Sequence, residues 1–333
     1  MMIDPKYKIR FWSLTLIIVI VMTAKVLMGA NTNNQRGVAN LDYTFLGNYP
    51  TSGNYYFVDN QSSYAQDSCV RNGGTWDQPL NTIDAAIGCT TANNGDIIFV
   101  AAGHSENVSS ESFIDMDVAT TRLVGLGKGR NRSTLVWTNK SGMVEAGASN
   151  VGIENFVLDM SFNTGADTGV SVTSGATNFY FANNEVILSD KSGGKVGHAI
   201  YLSGGTGAQI VNSNFLSGLS DSVTSSAVTE VIFIASGVDD VLIKDTYIQA
   251  YGPAASGLIS AASSRVSGFV LQDSTIMQAN SASSGYNFSV VGLASEIVIK
   301  NVAILIGTDL TTSGVTDDTY IDLNRGPQFD DQF

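Results

Sequence analysis

Val151-Gly152-Ile153-Glu154-Asn155 opens a series of six copies of one short pattern, apolar-x-apolar-x-Asn/Asp-x-x-apolar. The others are Phe179-Tyr180-Phe181-Ala182-Asn183, Ala208-Gln209-Ile210-Val211-Asn212, Val241-Leu242-Ile243-Lys244-Asp245, Phe269-Val270-Leu271-Gln272-Asp273 and Ile297-Val298-Ile299-Lys300-Asn301. Three residues after each Asn/Asp comes Leu158, Val186, Phe215, Ile248, Ile276 or Ile304. The Asn/Asp positions are 28, 29, 33, 28 and 28 residues apart, so a few extra residues lie between Asn212 and Asp245.

Alternating apolar residues point to one side of a strand, and strands this short bury nothing until a neighbour stacks on them. A second apolar segment lies about 11 residues before each Asn/Asp (Val144, Val172, Tyr201, Ile234, Ala262, Val290). Gly147, Gly175, Gly204 and Gly237 suit a bend between the two segments. A coil of about 28 residues holding two or three short strands is the mark of a parallel β-helix. The fold expected is all-β: a single-stranded right-handed parallel β-helix, a solenoid, spanning 55–307.

In such a coil Asn155, Asn183, Asn212, Asp245, Asp273 and Asn301 form a structural ladder. A short polar side chain at a turn bonds the local backbone and stacks on the same residue of the next coil. A row of metal-ligating acids does not fit, because four of the six are Asn. Ahead of the repeats, Pro79 followed by Leu80, Ile83 and Ile87 at helical spacing, with Gly88 at the end, predicts one short N-terminal capping helix near 79–88. Placed there, it covers the open end of the solenoid.

The chain has 333 residues, 44% of them hydrophobic and only 14% charged, with 34 Gly and 5 Pro. This composition excludes disorder and helical bundles and allows one large β domain. The net charge of -13 disfavours nucleic acid, which selects clustered Lys and Arg. Lys6, Lys8 and Arg10 precede the uncharged run Phe11 to Ala24, so 1–30 reads as a signal peptide or, continued over Lys25 to Met28, as a membrane anchor. Membrane contact is expected only through this segment. Without it, 13 basic residues face 29 acidic ones, net -16, which suits neutral glycans or a calcium-rich medium better than polyanions. A polar N-terminal segment occupies 31–54, and 308–333 reads as an acidic C-terminal tail or cap. Cys69 and Cys89, the only cysteines, read in an exported chain as one disulfide, with two free thiols as the alternative. Two Cys and two distant His give no metal-ligand spacing, so no metal site is assigned, although Ca2+ remains open.

Tyr55-Tyr56-Phe57-Val58-Asp59, Gly74-Thr75-Trp76-Asp77-Gln78-Pro79-Leu80, Thr82 to Ile87, Gly95-Asp96-Ile97-Ile98-Phe99-Val100 and Gly103-His104-Ser105-Glu106 follow in an order that resembles the start of the right-handed parallel β-helix proteins of the pectate-lyase-like superfamily. The resemblance covers roughly Tyr55 to Gly307 and is closest to members from bacteria and from tailed-phage and environmental viral sequences. It implies the fold. It does not choose among the superfamily's lyases, hydrolases, phage tailspikes and non-catalytic surface proteins.

No catalytic set is legible. Lys244 and Lys300 share an outward repeat position and read as solvated charges. Asp239-Asp240 and Gly197-His198 imitate fragments of pectin hydrolases, yet the acid pair falls where other copies have turns and no Arg-x-Lys is present. Asp115 and Asp117 read as a solvent edge; Lys128, Arg130 and Arg132 sit on a Gly-rich turn.

The function expected is a non-catalytic exported or virion-associated β-helix that recognises a glycan or cell-surface ligand. The alternatives are a polysaccharide lyase or glycoside hydrolase, and a structural shell or fibre component, with a homo-oligomer possible. Insertions at Leu188 to His198 and Leu216 to Val231 occupy the same stretch of successive coils and should rim a shallow groove. His198, Tyr201, Lys191 and Lys195 are its candidate ligand-binding residues.

Overall fold

The fold is taken from a computed structural model. It describes residues 49, 51–69, 74–162, 165–188, 196–217, 228–250, 258–261, 266–278, 288–291, 295–305, 310–313 and 319–323. The signal or anchor segment 1–30 and most of 31–54 lie outside these residues. Among the described residues no helix is long and apolar enough to cross a membrane.

The chain winds as an all-β parallel solenoid with three faces. The first face holds Tyr55–Val58, Ile97–Val100, Arg122–Gly125, Gly152–Glu154, Tyr180–Ala182, Gln209–Val211, Leu242–Lys244 and Ser267–Gln272. The second holds Ser105–Val108, Thr134–Trp137, Val157–Asp159, Glu185–Ile187, Asn214–Leu216, Tyr247–Ala250 and Thr275–Gln278. The long strand Ser295–Leu305 continues the first two faces around their shared corner. The third face is an eight-stranded sheet from Ile114–Met116 to Leu310–Ser313. Every strand pairing among the described residues is parallel and links successive coils, as in Tyr180 between Gly152 and Gln209.

The corner between the first two faces explains the repeat. Asn155, Asn183, Asn212, Asp245, Asp273 and Asn301 have φ of 63°, 58°, 46°, 50°, 50° and 52°. This left-handed region is costly for most L-residues and cheapest, after Gly, for Asn and Asp. The bend leaves the backbone ladder intact: Asn155 N–H donates to Ala182 O at 3.1 Å, Asn183 N–H to Val211 O at 3.2 Å and Asp273 N–H to Lys300 O at 3.0 Å. A second left-handed set, Asn150, Asn178, Gly207, Asp240 and Gly268, brings the chain into the first face five residues earlier. Of the four glycines expected at this bend, only Gly237 takes positive φ among the described residues; the turn proper falls on the later Asn, Asp and Gly positions.

One residue past the outgoing corner lies a polar line inside the solenoid, made by Asn184, Ser213, Thr246 and Ser274, all buried. Asn184 Nδ2 donates to Ile153 O at 2.9 Å while its Oδ1 accepts Phe156 N–H at 2.8 Å. Ser213 Oγ donates to Val211 O and Ser274 Oγ to Gln272 O. These bonds satisfy backbone groups that the turn takes out of the regular ladder. Around them stack Ile153, Phe181, Ile210, Ile243 and Leu271 from the first face and Leu158, Val186, Phe215, Ile248 and Ile276 from the second. Each such burial contributes about 1.5–3 kcal/mol relative to exposure.

The α-helix Ile83–Ile87 is shorter than 79–88 and begins at Thr82, whose hydroxyl accepts Ala85 N–H at 3.3 Å. Ile83, Ala86 and Ile87 are buried against the first coils. Glu106 accepts Ile83 N–H at 3.2 Å, and Cys69 and Cys89 are joined in a disulfide beside the helix end. At the other end, Leu310–Ser313 and Thr319–Leu323 pair in parallel with Phe288–Val291 and Ser295–Leu305. The sheet thus continues past residue 307. These two strands lack the Asn/Asp corner pattern, which is why the repeat did not reach them.

Asn183→Val puts a β-branched residue at positive φ and removes the side-chain amide, so chemical denaturation should show a loss of about 2–3 kcal/mol. Asn183→Gly keeps the conformation and should lose at most about 1 kcal/mol. Equal losses would contradict the backbone origin of the motif.

Candidate functional site

His198 and Tyr201 lie on the third-face strand Val196–Leu202, with rings stacked at 5.3 Å and 21°. The next coil adds Phe233, the register partner of Tyr201, at 5.4 Å and 17° from Tyr201 and 5.0 Å from His198. Three half-buried rings therefore form one continuous aromatic surface on the outside of the sheet. Glu230, in register with His198 and 7% exposed, brings Oε2 within 3.0 Å of His198 Nδ1, though not aligned as a hydrogen bond.

Local sequence explains the placement. Gly197 passes so close to the preceding coil that a Cβ there would meet Asp167 O at 2.1 Å, so no larger residue can precede His198 without moving the strand. His198 N–H then donates to Asp167 O at 3.0 Å. Tyr201 was aligned with the inward apolar residues, but the register pairs Val172 with Leu202 and Ile234. Leu202 points inward and Tyr201 outward, the result of a one-residue slip in a structure of period two.

The column through Tyr201 continues as Asp115, Glu145, Ser171, Tyr201, Phe233 and Ser260. Its first members are acids. Burial raises the Asp115 carboxyl above its ordinary value, and the nearby carboxylates of Asp117, Glu145 and Asp84 add to the effect. Ser112 Oγ donates to Glu145. Among the described residues, no group of three or more His, Cys, Asp or Glu could hold a metal ion.

Lys191 and Lys195, and most of the two insertions expected to rim the groove, lie outside the described residues. Asp239 accepts Ser267 N–H at 3.3 Å and Ser267 Oγ at 2.6 Å, while Asp240 has φ 56°; both serve the turn. Arg132 donates to Glu185 and to Asn183 O. His104 is fully buried: its Nδ1 accepts Asn60 N–H at 3.1 Å, so the proton sits on Nε2, 3.1 Å from Glu106. This pair ties the helix to the first coil. The ladder residues bond one another in part, Asn212 Nδ2 to Asn183 Oδ1 at 2.5 Å and Asn301 Nδ2 to Asp273 Oδ1 at 2.8 Å.

Glu230 escaped the sequence reading because it falls within the expected insertion Leu216 to Val231, and Phe233 because the coil spacing changes there. Their signal was Phe233 standing one residue before the apolar Ile234, just as Tyr201 stands before Leu202.

No protein-family model matches the chain, and no curated protein matches it. Among solved structures, a "Rhamnogalacturonan lyase" superposes with a TM-score of 0.50 at 14% identity, covering 76% of this chain and 68% of that one. "Geobacillus virus E2 - ORF18" gives a TM-score of 0.39 at 12% identity, covering 81% of this chain and 62% of that one. The lyase likeness shows the parallel β-solenoid fold alone.

Because the Asp115 pKa is raised, the folded protein holds that proton to higher pH than the unfolded chain does. Its contribution to stability therefore falls as pH rises from the ordinary carboxylate range through the folded pKa. Asp115→Asn should melt above wild type at pH 7 and level with it at pH 3. A variant that melts lower than wild type at pH 7 contradicts this.

Proposed function

We propose that the protein is an exported or virion-associated surface-recognition β-helix of the pectate-lyase-like type, which binds a glycan on its third face without transforming it. In this reading the coil is right-handed and Ile83–Ile87 caps its N-terminal end. The observation that carries the proposal is the stack of His198, Tyr201 and Phe233 outside a rigid sheet. Aromatic rings are usually buried by folding; three stacked on one another and half-exposed at the surface offer an apolar patch, with polar atoms on His198 and Tyr201. A sugar ring has the matching form, with an apolar C–H face and hydroxyls around its rim. Ser171 and Ser260, both buried, stand at the two ends of the ring column, and the partly exposed Thr168 is the register partner of His198. A rigid strand presents these groups at little ordering cost, which favours affinity.

One observation favours a second reading, a polysaccharide lyase or hydrolase. A carboxylate close to Nδ1 orients an imidazole and leaves Nε2 to accept a proton. Glu230 Oε2 lies 3.0 Å from His198 Nδ1, near that position but without the alignment of a hydrogen bond. Under this reading His198→Gln abolishes release of reducing ends or unsaturated sugars while polysaccharide binding remains.

A panel of immobilised bacterial and plant polysaccharides tests the first reading. Wild-type protein should be retained by at least one, and Tyr201→Ala and Phe233→Ala should each weaken retention about tenfold or more. Melting temperatures should stay within about 2 °C, since neither ring belongs to the core. Unchanged retention in the two folded variants would contradict the assignment.

A further inference from the structure

We infer that the protein carries a second sugar-binding site on its first face, in the notch over Gly152 between Arg122 and Tyr180, selective for a neutral sugar residue. Arg122, Gly152 and Tyr180 are register partners in three successive coils. Parallel strands lie about 4.8 Å apart, so the backbones of the outer two residues stand roughly 10 Å from each other with no residue-152 side chain between them, and the Arg122 guanidinium and Tyr180 ring lean toward one another over the glycine. The gap forms a depression of about 360 Å³ lined by Arg122, Asn150, Val151, Gly152, Asn178 and Tyr180. That size falls within the range of small-molecule sites, roughly 300–1,000 Å³.

The walls are fixed before any ligand arrives. Arg122 Nη2 donates to Glu154 Oε2 at 2.6 Å, and its guanidinium carbon lies 5.7 Å from the ring centres of both Tyr49 and Tyr180. Glu154 also accepts from Tyr49 OH and Asn183 Nδ2, each at 3.2 Å. Burial, with the Glu154 carboxylate next in effect, pushes the Tyr49 hydroxyl up to about 12, so it stays a donor at neutral pH. On the rim, Asn178 Nδ2 donates to Asn150 Oδ1 at 2.9 Å, which aligns two amides.

The chemistry of these walls selects the ligand. Glu154 already meets the charge of Arg122, so an anionic sugar gains little attraction and lies beside a carboxylate. A cationic ligand meets a guanidinium. An apolar ligand would strip water from two amides and the guanidinium without replacing their hydrogen bonds. A guanidinium has five N–H donors, and the Glu154 bond engages one nitrogen, leaving further donors for hydroxyls. The Tyr180 ring, which also packs against the Arg122 guanidinium, supplies apolar surface, and Gly152 leaves the space beside it. This site uses no residue of the third face and does not depend on the reading given to it.

The test is saturation-transfer NMR with maltose, cellobiose, lactose, N,N′-diacetylchitobiose and digalacturonate, each at 5 mM, on wild type and three variants. The double variant Tyr201→Ala/Phe233→Ala removes the third-face platform; Tyr180→Ala and Gly152→Ala alter the notch. A Cβ on residue 152 would sit 3.2 Å from Tyr180 O and 3.3 Å from its Cβ, so the Tyr180 strand must give by a few tenths of an ångström as the notch is crowded, and each notch variant is scored at a temperature where circular dichroism shows it folded. The inference expects transfer to at least one neutral disaccharide, retained in the double variant and reduced at least fivefold in both notch variants. Transfer to no neutral disaccharide, loss in the double variant alone, survival in both notch variants, or preference for digalacturonate would each overturn it.

Discussion

A single backbone state, the left-handed residue at the corner between the first two faces, sets the geometry on which the rest of the molecule depends. It turns the chain sharply while its own N–H stays bonded to the next coil. Successive coils can then stack without an offset, because every coil makes the same turn at the same point. Asn and Asp recur there because among residues with a side chain they tolerate this conformation best. Their side chains add bonds between coils where one partner is an amide, as between Asn301 and Asp273. The Asn301 bond, and next a bond from the adjacent Gln272 of the same coil, hold the Asp273 carboxyl below its ordinary value.

Register then determines what the surface can do. Each outward position becomes a column of side chains about 4.8 Å apart, the spacing at which rings can stack and hydroxyls can line a ligand. On the third face the column passes from acids through a hydroxyl to two rings, and an irregular stretch of strand adds His198 to them. On the first face a glycine interrupts the column and leaves a notch between an arginine and a tyrosine. The two sites arise from opposite departures from an even surface, one by extra bulk and one by its absence. The solenoid tolerates both because its stability comes from the inward residues.

The repeat, its strands and the corner residues were legible because burial and backbone strain restrict which residues can occupy them. Ile153, Phe181 and Ile210 follow a period that the core enforces, and Asn155 or Asn183 follows from a φ that few side chains accept. The interior line of Asn184, Ser213, Thr246 and Ser274 was equally regular but went unread, since small polar residues next to a turn look like surface. His198 and Tyr201 were identified as neighbours. Their partners Phe233 and Glu230 were not, because outward residues obey no burial pattern and the insertion between Asn212 and Asp245 shifts the count. The Arg122 site was invisible for a related reason: its members come from coils 28–30 residues apart, and one of them, Gly152, matters for having no side chain.

The account stands on coil-to-coil register carrying specific outward side chains into contact. Ring-to-ring nuclear Overhauser effects in protein labelled selectively at tyrosine, phenylalanine and histidine measure that contact directly. Cross-peaks should join Tyr201 to Phe233 and His198 to Phe233, with the Tyr201–Phe233 peak lost in Phe233→Leu. Absence of both cross-peaks in folded protein would mean that the register, and with it the surface built on it, is wrong.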